Sequence, residues 1–362
     1  VQAVVKHTRI AGICTAVPKK KVNFFESSTL FSPQEMDRVY ENTGIREIRS
    51  APPGMVVSDM CTAAAERLME RLGWERSSIE LIVLITQSPD VPLPATACLM
   101  QRRLKLPNEC AAFDINLGCS GYVYGLWVVS QLLTSMNKGR ALLMVGDKST
   151  EGLHPDDTGT AALFGDAGAV TAIERCADEN PVYYVGGSDG EGGAHLNLKA
   201  GQNRCQIPIS LKPFTKEEYD QLMLNCKLHM NGPEVFGFTL RVVPKLIRET
   251  LALAGIEKED VQYYVFHQAN KFILEHLARK MKLPEGSAVL DLELWGNTSS
   301  ASVPLAICDK LVGDIKDKPA KMCLAGFGVG WSWMACVLDI GPIPVAEIYE
   351  IPDDFYCDPF PC

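Results

Sequence analysis

Long apolar runs are missing from this sequence, and none reaches the ~18 residues that a membrane-spanning helix needs. The opening stretch, VQAVVKHTRIAGICTAVPKKK, is too polar in its middle for a secretory signal, so a cytoplasmic protein is expected. Positive charge is also short. The chain carries 35 Lys and Arg against 44 Asp and Glu, a net charge of −9. Neutralising a phosphate backbone takes a basic surface, so the balance argues against nucleic acid as a general partner. Cysteine is plentiful, at 13, but its usual patterns are absent. There is no C-x-x-C pair, the number is odd and the positions are scattered, which argues against a zinc site or a disulfide framework. No metal and no resident cofactor is expected. Most of the thiols read as small buried hydrophobes in a reducing compartment. Cys357 and Cys362, in a Pro- and Asp-rich tail, read as part of a loose terminus.

What the chain does have is core-forming material. Its 362 residues are 47% hydrophobic, enough for two domains or one large duplicated one. Short apolar runs alternate with helical stretches, which predicts an α/β fold. Strands are predicted at 81–86, 141–146, 169–174, 263–267, 321–326 and 333–340, and helices at 58–72, 119–134, 237–254, 270–281 and 299–311. The strands are apolar at nearly every position, so burial on both faces is expected. The order of elements occurs twice, which predicts a first half over 1–185 and a second over 233–342. Residues 186–232, rich in Gly, Asn, Lys and Pro, read as a cap between the halves, and 343–362 as a tail.

Cys119 lies in Asn116-Leu117-Gly118-Cys119-Ser120-Gly121, just ahead of YVYGLWVVSQLL. A helix apolar nearly all round is a buried one. Its N-terminus presents free N–H groups and partial positive charge. A thiol there is expected to be pushed towards thiolate, the reactive form. One cysteine among thirteen is more often a core residue; the Gly-Cys-Ser-Gly turn is what singles this one out. His267 closes the strand YYVFH and is followed by Gln268-Ala269-Asn270, at a strand end where α/β sites collect. A capping histidine fits the same place. Asn297, in GNTSSAS, suits a helix N-cap as well as a site. The run Gly326-Phe327-Gly328-Val329-Gly330 can aim N–H groups into a cavity, where they stabilise an oxyanion, although a plain Gly-rich turn explains it equally.

Taken in order and spacing, NLGCSGYVYGL, LFGDAGAV (163–170), GPEVF (232–236), VFHQAN (265–270) and GNTSSASVP (296–304) resemble the β-ketoacyl-acyl carrier protein synthase III family. The resemblance runs from TGIREIR (43–49) to GFGVGWSW (326–333). It implies a thiolase fold, with two pseudo-duplicated halves in a five-layered α-β-α-β-α core, and a homodimer. It implies a catalytic triad of Cys119, His267 and Asn297, and an oxyanion hole from the N–H groups of Cys119 and Val329. Cys119 would take an acyl group from a thioester, and a malonyl thioester on an acyl carrier protein would then lose CO2 and condense with it. Thioesters of CoA or of carrier-protein phosphopantetheine are substrates in this scheme, not cofactors. Asn270, Gly232, Phe236 and Gly328 are expected around the substrate. Leu93, in VPLPATAC, is expected at a pocket floor supplied by the partner subunit, where a side chain smaller than the usual Phe leaves room for a longer or branched acyl group.

The chain departs from the family at the positions that hold acetyl-CoA. Arg38 and Asn42 stand where the usual Trp and Arg would be, Thr158 replaces the Arg of the DDTGT segment, and Phe272 replaces an Arg five residues after His267. Pro233 takes the place of a pantetheine-contacting Asn. Stacking and cationic contacts are lost, so free acetyl-CoA is not expected as the preferred starter. Lys271, Arg279 and Lys280, with Lys282, are expected to offer a basic patch to an acidic carrier protein. Three other readings compete. Acyl transfer to a hydroxyl or amine without decarboxylation would leave His267 and Asn297 without their task. An inactive partner subunit would be expected to have lost Cys119. A thiolase or hydroxymethylglutaryl-type synthase needs a second Cys or Glu that the sequence does not reveal.

Overall fold

The computed structural model describes residues 1–27, 30–154, 157–201, 203–206 and 215–355; Cys357 and Cys362 lie outside them. Residues 81–85 read LIVLI, and all five side chains are buried. Leu81, Val83 and Ile85 enter one apolar cluster, while Ile82 and Leu84 enter another on the opposite face. A strand with a core on each side must be apolar at every position, which accounts for the continuous runs in the sequence.

In chain order the strands are β1 (Gln2–Val5), β2 (Thr8–Pro18), β3 (Lys21–Asn23), β4 (Glu47–Arg49), β5 (Leu81–Ile85), β6 (Ala111–Ile115), β7 (Arg140–Asp147), β8 (Ala167–Arg175), β9 (Val182–Ser188), β10 (Leu196–Leu198), β11 (Leu228–Met230), β12 (Tyr263–Phe266), β13 (Ala320–Gly328), β14 (Ser332–Ile340) and β15 (Ala346–Ile351). The α-helices are α1 (Phe24–Ser27), α2 (Pro33–Thr43), α3 (Val57–Leu72), α4 (Thr96–Arg103), α5 (Gly121–Leu133), α6 (Lys216–Asn225), α7 (Gly232–Ala254), α8 (Lys271–Met281), α9 (Ser302–Lys310) and α10 (Val312–Ile315). A six-stranded sheet has the order β15-β2-β8-β7-β5-β6 and a five-stranded sheet the order β1-β9-β14-β13-β12. Helices α5 and α9 lie between the two sheets, α3 and α4 cover the outside of the first, and α7 packs on the outside of the second beside α8. Five layers, α-β-α-β-α, result. Three apolar clusters fill the gaps: one between the sheets, one under α3, and one under α7 and α8.

The expected halves do not follow the sheets. β1 and the start of β9 come from the first half yet pair within the second sheet, and β15, from the expected tail, pairs in parallel with β2 in the first. The tail is held there because Ala346 and Ile351 are buried and Glu347 meets Arg67 at 2.8 Å. The region 186–232 contains the end of β9, the small β10–β11 ribbon and α6, and α7 begins at its last residue, Gly232, with Asn231 as N-cap. Helix α7 therefore starts five residues earlier than its periodicity predicts, because Pro233 suits the first turn of a helix.

Candidate active site

Cys119 stands two residues ahead of α5, in the turn closed by a 2.7 Å hydrogen bond from Gly121 N–H to Gly118 C=O. Gly121 is required there, since a Cβ on it would lie 2.6 Å from Ile85. The strand β13 passes behind the cysteine. A Cβ on Gly328 would sit 2.8 Å from Cys119 Cβ and 3.1 Å from Sγ, so the bare glycine is what allows the Gly-rich turn to reach the thiol. The N–H groups of Cys119 and of Val329 are aimed at the Cys119 sulfur and hold its pKa down, as does the Ser299 hydroxyl. They are overruled. Burial, then the negative charge of Asp147, push the thiol up to about 12. The expected thiolate is thus corrected for the free chain: a helix start supplies a few partial charges, and full burial of the sulfur costs more than they return.

Ser299 links the other groups. It adopts a left-handed conformation, φ 53°, which a residue with a side chain rarely takes unless its surroundings impose it. Its N–H donates to Asn297 Oδ1 at 2.9 Å. Its C=O accepts from the Ser302 hydroxyl at 2.8 Å and interacts with the His267 ring. Asn297 is fixed by its backbone as well, its N–H donating to Leu163 C=O at 2.8 Å and its C=O accepting from Gly165 N–H at 3.0 Å. The bond from Ser299 N–H to Oδ1 fixes which way the amide faces and leaves both N–H donors of the Asn297 NH2 group to offer a ligand. His267 is 2% exposed, and burial pushes it down to about 4, so the ring is neutral at neutral pH. Its Nδ1 lies 2.9 Å from Ser302 Oγ.

Sequence reasoning missed Asp147. The last residue of β7, it is 5% exposed, and burial raises its carboxyl to about 6 against the donors around it. Oδ1 accepts from Gln87 N–H at 2.7 Å and from the Thr86 and Ser88 hydroxyls at 3.1 and 3.4 Å. The available signal was an acidic residue ending an otherwise apolar strand, ALLMVGD.

The remaining expected residues fall outside this centre or at its mouth. Arg38, Asn42 and Thr158 line one hollow of about 220 Å³ between α2 and the 158–163 segment, with no aromatic side chain among the described residues of its walls. Asn270 caps α8, its Oδ1 accepting from Ile273 N–H at 2.8 Å. Phe236, on the first turns of α7, packs on Phe272 and His276 of α8. Gly232 is the first residue of α7. Lys280 spends its ammonium on Leu240 C=O and Arg279 turns towards His276, leaving Lys271 4.0 Å from Glu275; the expected patch is thus partly tied up by its own neighbours. Leu93 is 86% exposed and turns away from the chain's own core. Among the described residues no group of three His, Cys, Asp or Glu could hold a metal.

Layer order and the placement of Cys119 and Asn297 at equivalent helix starts define a thiolase-fold enzyme. Two family models match the chain: 3-oxoacyl-[acyl-carrier-protein] synthase III over residues 113–190, and its C-terminal part over 251–340. A 3-oxoacyl-(acyl-carrier protein) synthase from Burkholderia xenovorans is similar in structure, with a TM-score of 0.88, 36% identity, and coverage of 97% of this chain and 99% of that one. β-Ketoacyl-[acyl-carrier-protein] synthase III of Geobacillus kaustophilus is 33% identical over 92% of this chain and 98% of its own length. The enzyme of that name from Clostridium acetobutylicum is 33% identical over 91% and 97%. The chain belongs to the β-ketoacyl-acyl carrier protein synthase III family, the condensing enzymes it resembles in sequence.

Proposed function

We propose that the chain condenses an acyl group carried on Cys119 with a malonyl unit on an acyl carrier protein, releasing CO2 and a β-ketoacyl thioester. The observation that carries this reading is the convergence of two backbone N–H groups, from Cys119 and Val329, on the Cys119 sulfur, with Asn297 and His267 tied to the same Ser299. When sulfur attacks an acyl thioester, the oxygen that gains charge meets those N–H groups, and their preorganisation lowers the barrier. Loss of CO2 from the malonyl thioester then leaves negative charge on its carbonyl oxygen. Asn297 offers its NH2 there. His267 offers Nε2–H once the Ser302 hydroxyl turns its proton to Nδ1, and a neutral ring suits that donor role. The enolate carbon attacks the acyl-Cys119 carbonyl and frees the thiol. Transfer to a hydroxyl or amine without decarboxylation would leave the Asn297 and His267 donors unused.

The donor side follows from the mouth. A hollow walled by Arg38, Asn42 and Thr158 offers adenine no stacking partner, which supports an acyl group arriving on a carrier protein and not as acetyl-CoA. The acidic carrier would dock beside α8, against Lys271, Arg279 and Lys280. A homodimer is supported by β6, an outer strand of the first sheet whose Ala111–Ile115 side chains are only partly covered. Partly buried Tyr124, Trp127 and Leu132 form a stripe on neighbouring α5, and a second copy would cover both. Leu93 would then reach the partner's acyl pocket. The described cysteines are all free thiols, which suits a reducing cytoplasm.

Intact-mass measurement after incubation with a panel of acyl thioesters tests the reading. One acyl adduct should form, vanish in Cys119→Ala, and be consumed on adding malonyl-carrier protein with one CO2 released per product. Efficient loading from acetyl-CoA would overturn the donor assignment, and product without CO2 would overturn the reaction.

A further inference from the structure

Leu93 is the most exposed large apolar side chain among the described residues, yet the loop that carries it is anchored in the interior on both sides. We propose that Ser58 and Arg103, by holding Asp90, and Asp114, by holding the start of α4, fix how far Leu93 enters the acyl pocket of a second copy, and so set the acyl length which that copy accepts. They are positioning residues that touch no substrate. The proposal deepens the reading above, in which Leu93 serves the pocket of the second copy, and rests on it.

The loop covers residues 86–95, between β5 and α4. Its first turn is held by Asp147 Oδ1, which accepts from Gln87 N–H at 2.7 Å. Asp90, three residues ahead of Leu93, is the first anchor. Its N–H donates to Thr96 Oγ1 at 3.2 Å, which draws the loop back on the helix start. Its Oδ2 accepts from Ser58 Oγ at 2.6 Å. The Arg103 guanidinium donates to the same Ser58 oxygen and lies 3.6 Å from the carboxylates of Asp59 and of Asp90. All three charged side chains are nearly buried. Ser58 and Asp59 open α3, whose residues 57–65 are buried throughout, so Asp90 is tied to a part of the fold that does not give. A buried ion pair returns little net stability. Its directional bonds here hold the Asp90 backbone in one place.

Asp114 is the second anchor. Helix α4 gets no side-chain cap from its own N-cap residue, Ala95. The carboxylate of Asp114 caps it instead, Oδ2 accepting from Thr96 N–H at 2.6 Å and Oδ1 from Ala97 N–H at 2.8 Å. Free N–H groups at a helix start are met by a carboxylate in this way. Asp114 belongs to β6, the outer strand of the first sheet. The strand on which a second copy would pair therefore also orients the loop, and Leu93 moves with the seam. A loop fixed at both sides loses little conformational freedom on entering a partner. A leucine held in this way blocks a pocket at a set depth, whereas one on a loose loop yields to a longer chain.

Mixed dimers are the test, because they leave the reacting subunit wild type. A wild-type chain is co-purified with a Cys119→Ala partner, which cannot be acylated and which carries the loop variant. Intact mass follows the rate of adduct formation on the wild-type chain for straight-chain acyl thioesters of increasing length on a carrier protein. With a wild-type loop in the partner, the rate should fall beyond a limiting length. One methylene of pocket space is worth about tenfold or more, so Leu93→Ala in the partner should raise the long-to-short rate ratio about 10²-fold, and Ser58→Ala, Arg103→Lys or Asp114→Asn about tenfold. Short acyl groups should load at the wild-type rate with the last three. Damage confined to the variant's own subunit cannot give this pattern, since the variant and the reacting thiol lie on different chains. Light scattering and melting show that each mixed dimer assembles, and the three variants stand in for one another if one fails to fold. A shifted ratio with Leu93→Ala but unshifted ratios with the other three overturns the proposal alone. No shift with Leu93→Ala removes the reading of Leu93, and no adduct in the wild type removes acyl loading; the proposal falls with either.

Discussion

At the scale of single residues, the site is a set of buried polar groups whose ionisation is set by where the chain places them. His267 is pushed down to about 4, so it stays neutral across the working range. Decarboxylation of a malonyl thioester by the acylated enzyme should therefore show no inflection near pH 6.5, where an ordinary histidine titrates; a pH–rate profile of CO2 release reads this. Asp147 goes the other way. Its carboxyl rises from 3.8 to about 6 in the folded chain, so the protonated form is favoured by folding. That contribution is fully present below 3.8 and is lost as pH rises through about 6, a difference of roughly 3 kcal/mol. Asp147→Asn stays neutral and should melt higher than the wild type at pH 7.5, with the gap closing towards pH 4.5. Gly328 is constrained by contact alone. The added methyl of Gly328→Ala would fall 2.8 Å from Cys119 Cβ, a part of the side chain that cannot swing away. About 1–3 kcal/mol of destabilisation and loss of the acyl adduct are expected, read by melting and intact mass.

Elements show why much of this was legible in the sequence and some was not. The strands β5, β7, β8, β12, β13 and β14 lie where the apolar runs put them, because a strand with a core on both faces has no polar positions to blur its limits. Helix α5 begins two residues beyond Cys119, so the reactive turn was readable from Gly118 and Gly121. Strands β1, β2, β6, β9 and β15 were not readable. They are short, lie at sheet edges or carry glycine and polar residues, as in VYYVGGS and AEIYEI, and their pairing is decided by distant partners. The chemistry was half legible. Cys119, His267 and Asn297 stand in distinctive segments, whereas Ser299 and Asp147 are brought beside them by a backbone conformation and a burial that no spacing announces. Asn270 illustrates a residue with two readings, substrate contact and helix cap. Its Oδ1 caps α8, so Asn270→Ala should cost about 1 kcal/mol of stability, and Asn270→Asp should keep the cap. Melting of both variants, set beside the KM for a carrier-protein thioester, separates the roles: a substrate contact through the NH2 group is lost in both.

Across the whole molecule, the two sheets differ in how their edges are closed. β15 closes one side of the first sheet, with six residues in register against β2 and Glu350 paired to buried Arg49. The other side ends at β6, where alternate backbone groups are committed inward. Ala111 N–H donates to Glu80 C=O, and Ile115 C=O accepts from Thr86 N–H. In a parallel ladder the intervening residues, Ala112 and Asp114, then direct their N–H groups away from β5. Apart from the Cys98 thiol on Ala112 C=O at 3.5 Å, this edge beside the partly exposed Trp127 is an aggregation liability unless something pairs with it, and in the proposed homodimer a second copy would do so in an isologous contact. Proline discriminates the two cases. On a solvent edge, a proline whose missing N–H faced water is tolerated; in a strand paired on both sides it removes a ladder bond. Ala112→Pro should therefore leave a monomer's fold and mass unchanged but break a dimer built on β6. Light scattering should give twice the chain mass for the wild type and a dimer weakened to dissociation at micromolar concentration for the variant. A variant that stays dimeric would mean that the β6 edge is not the seam. Because Leu93 would serve the partner's pocket, loss of the dimer should also lower condensation with long acyl groups more than with short ones.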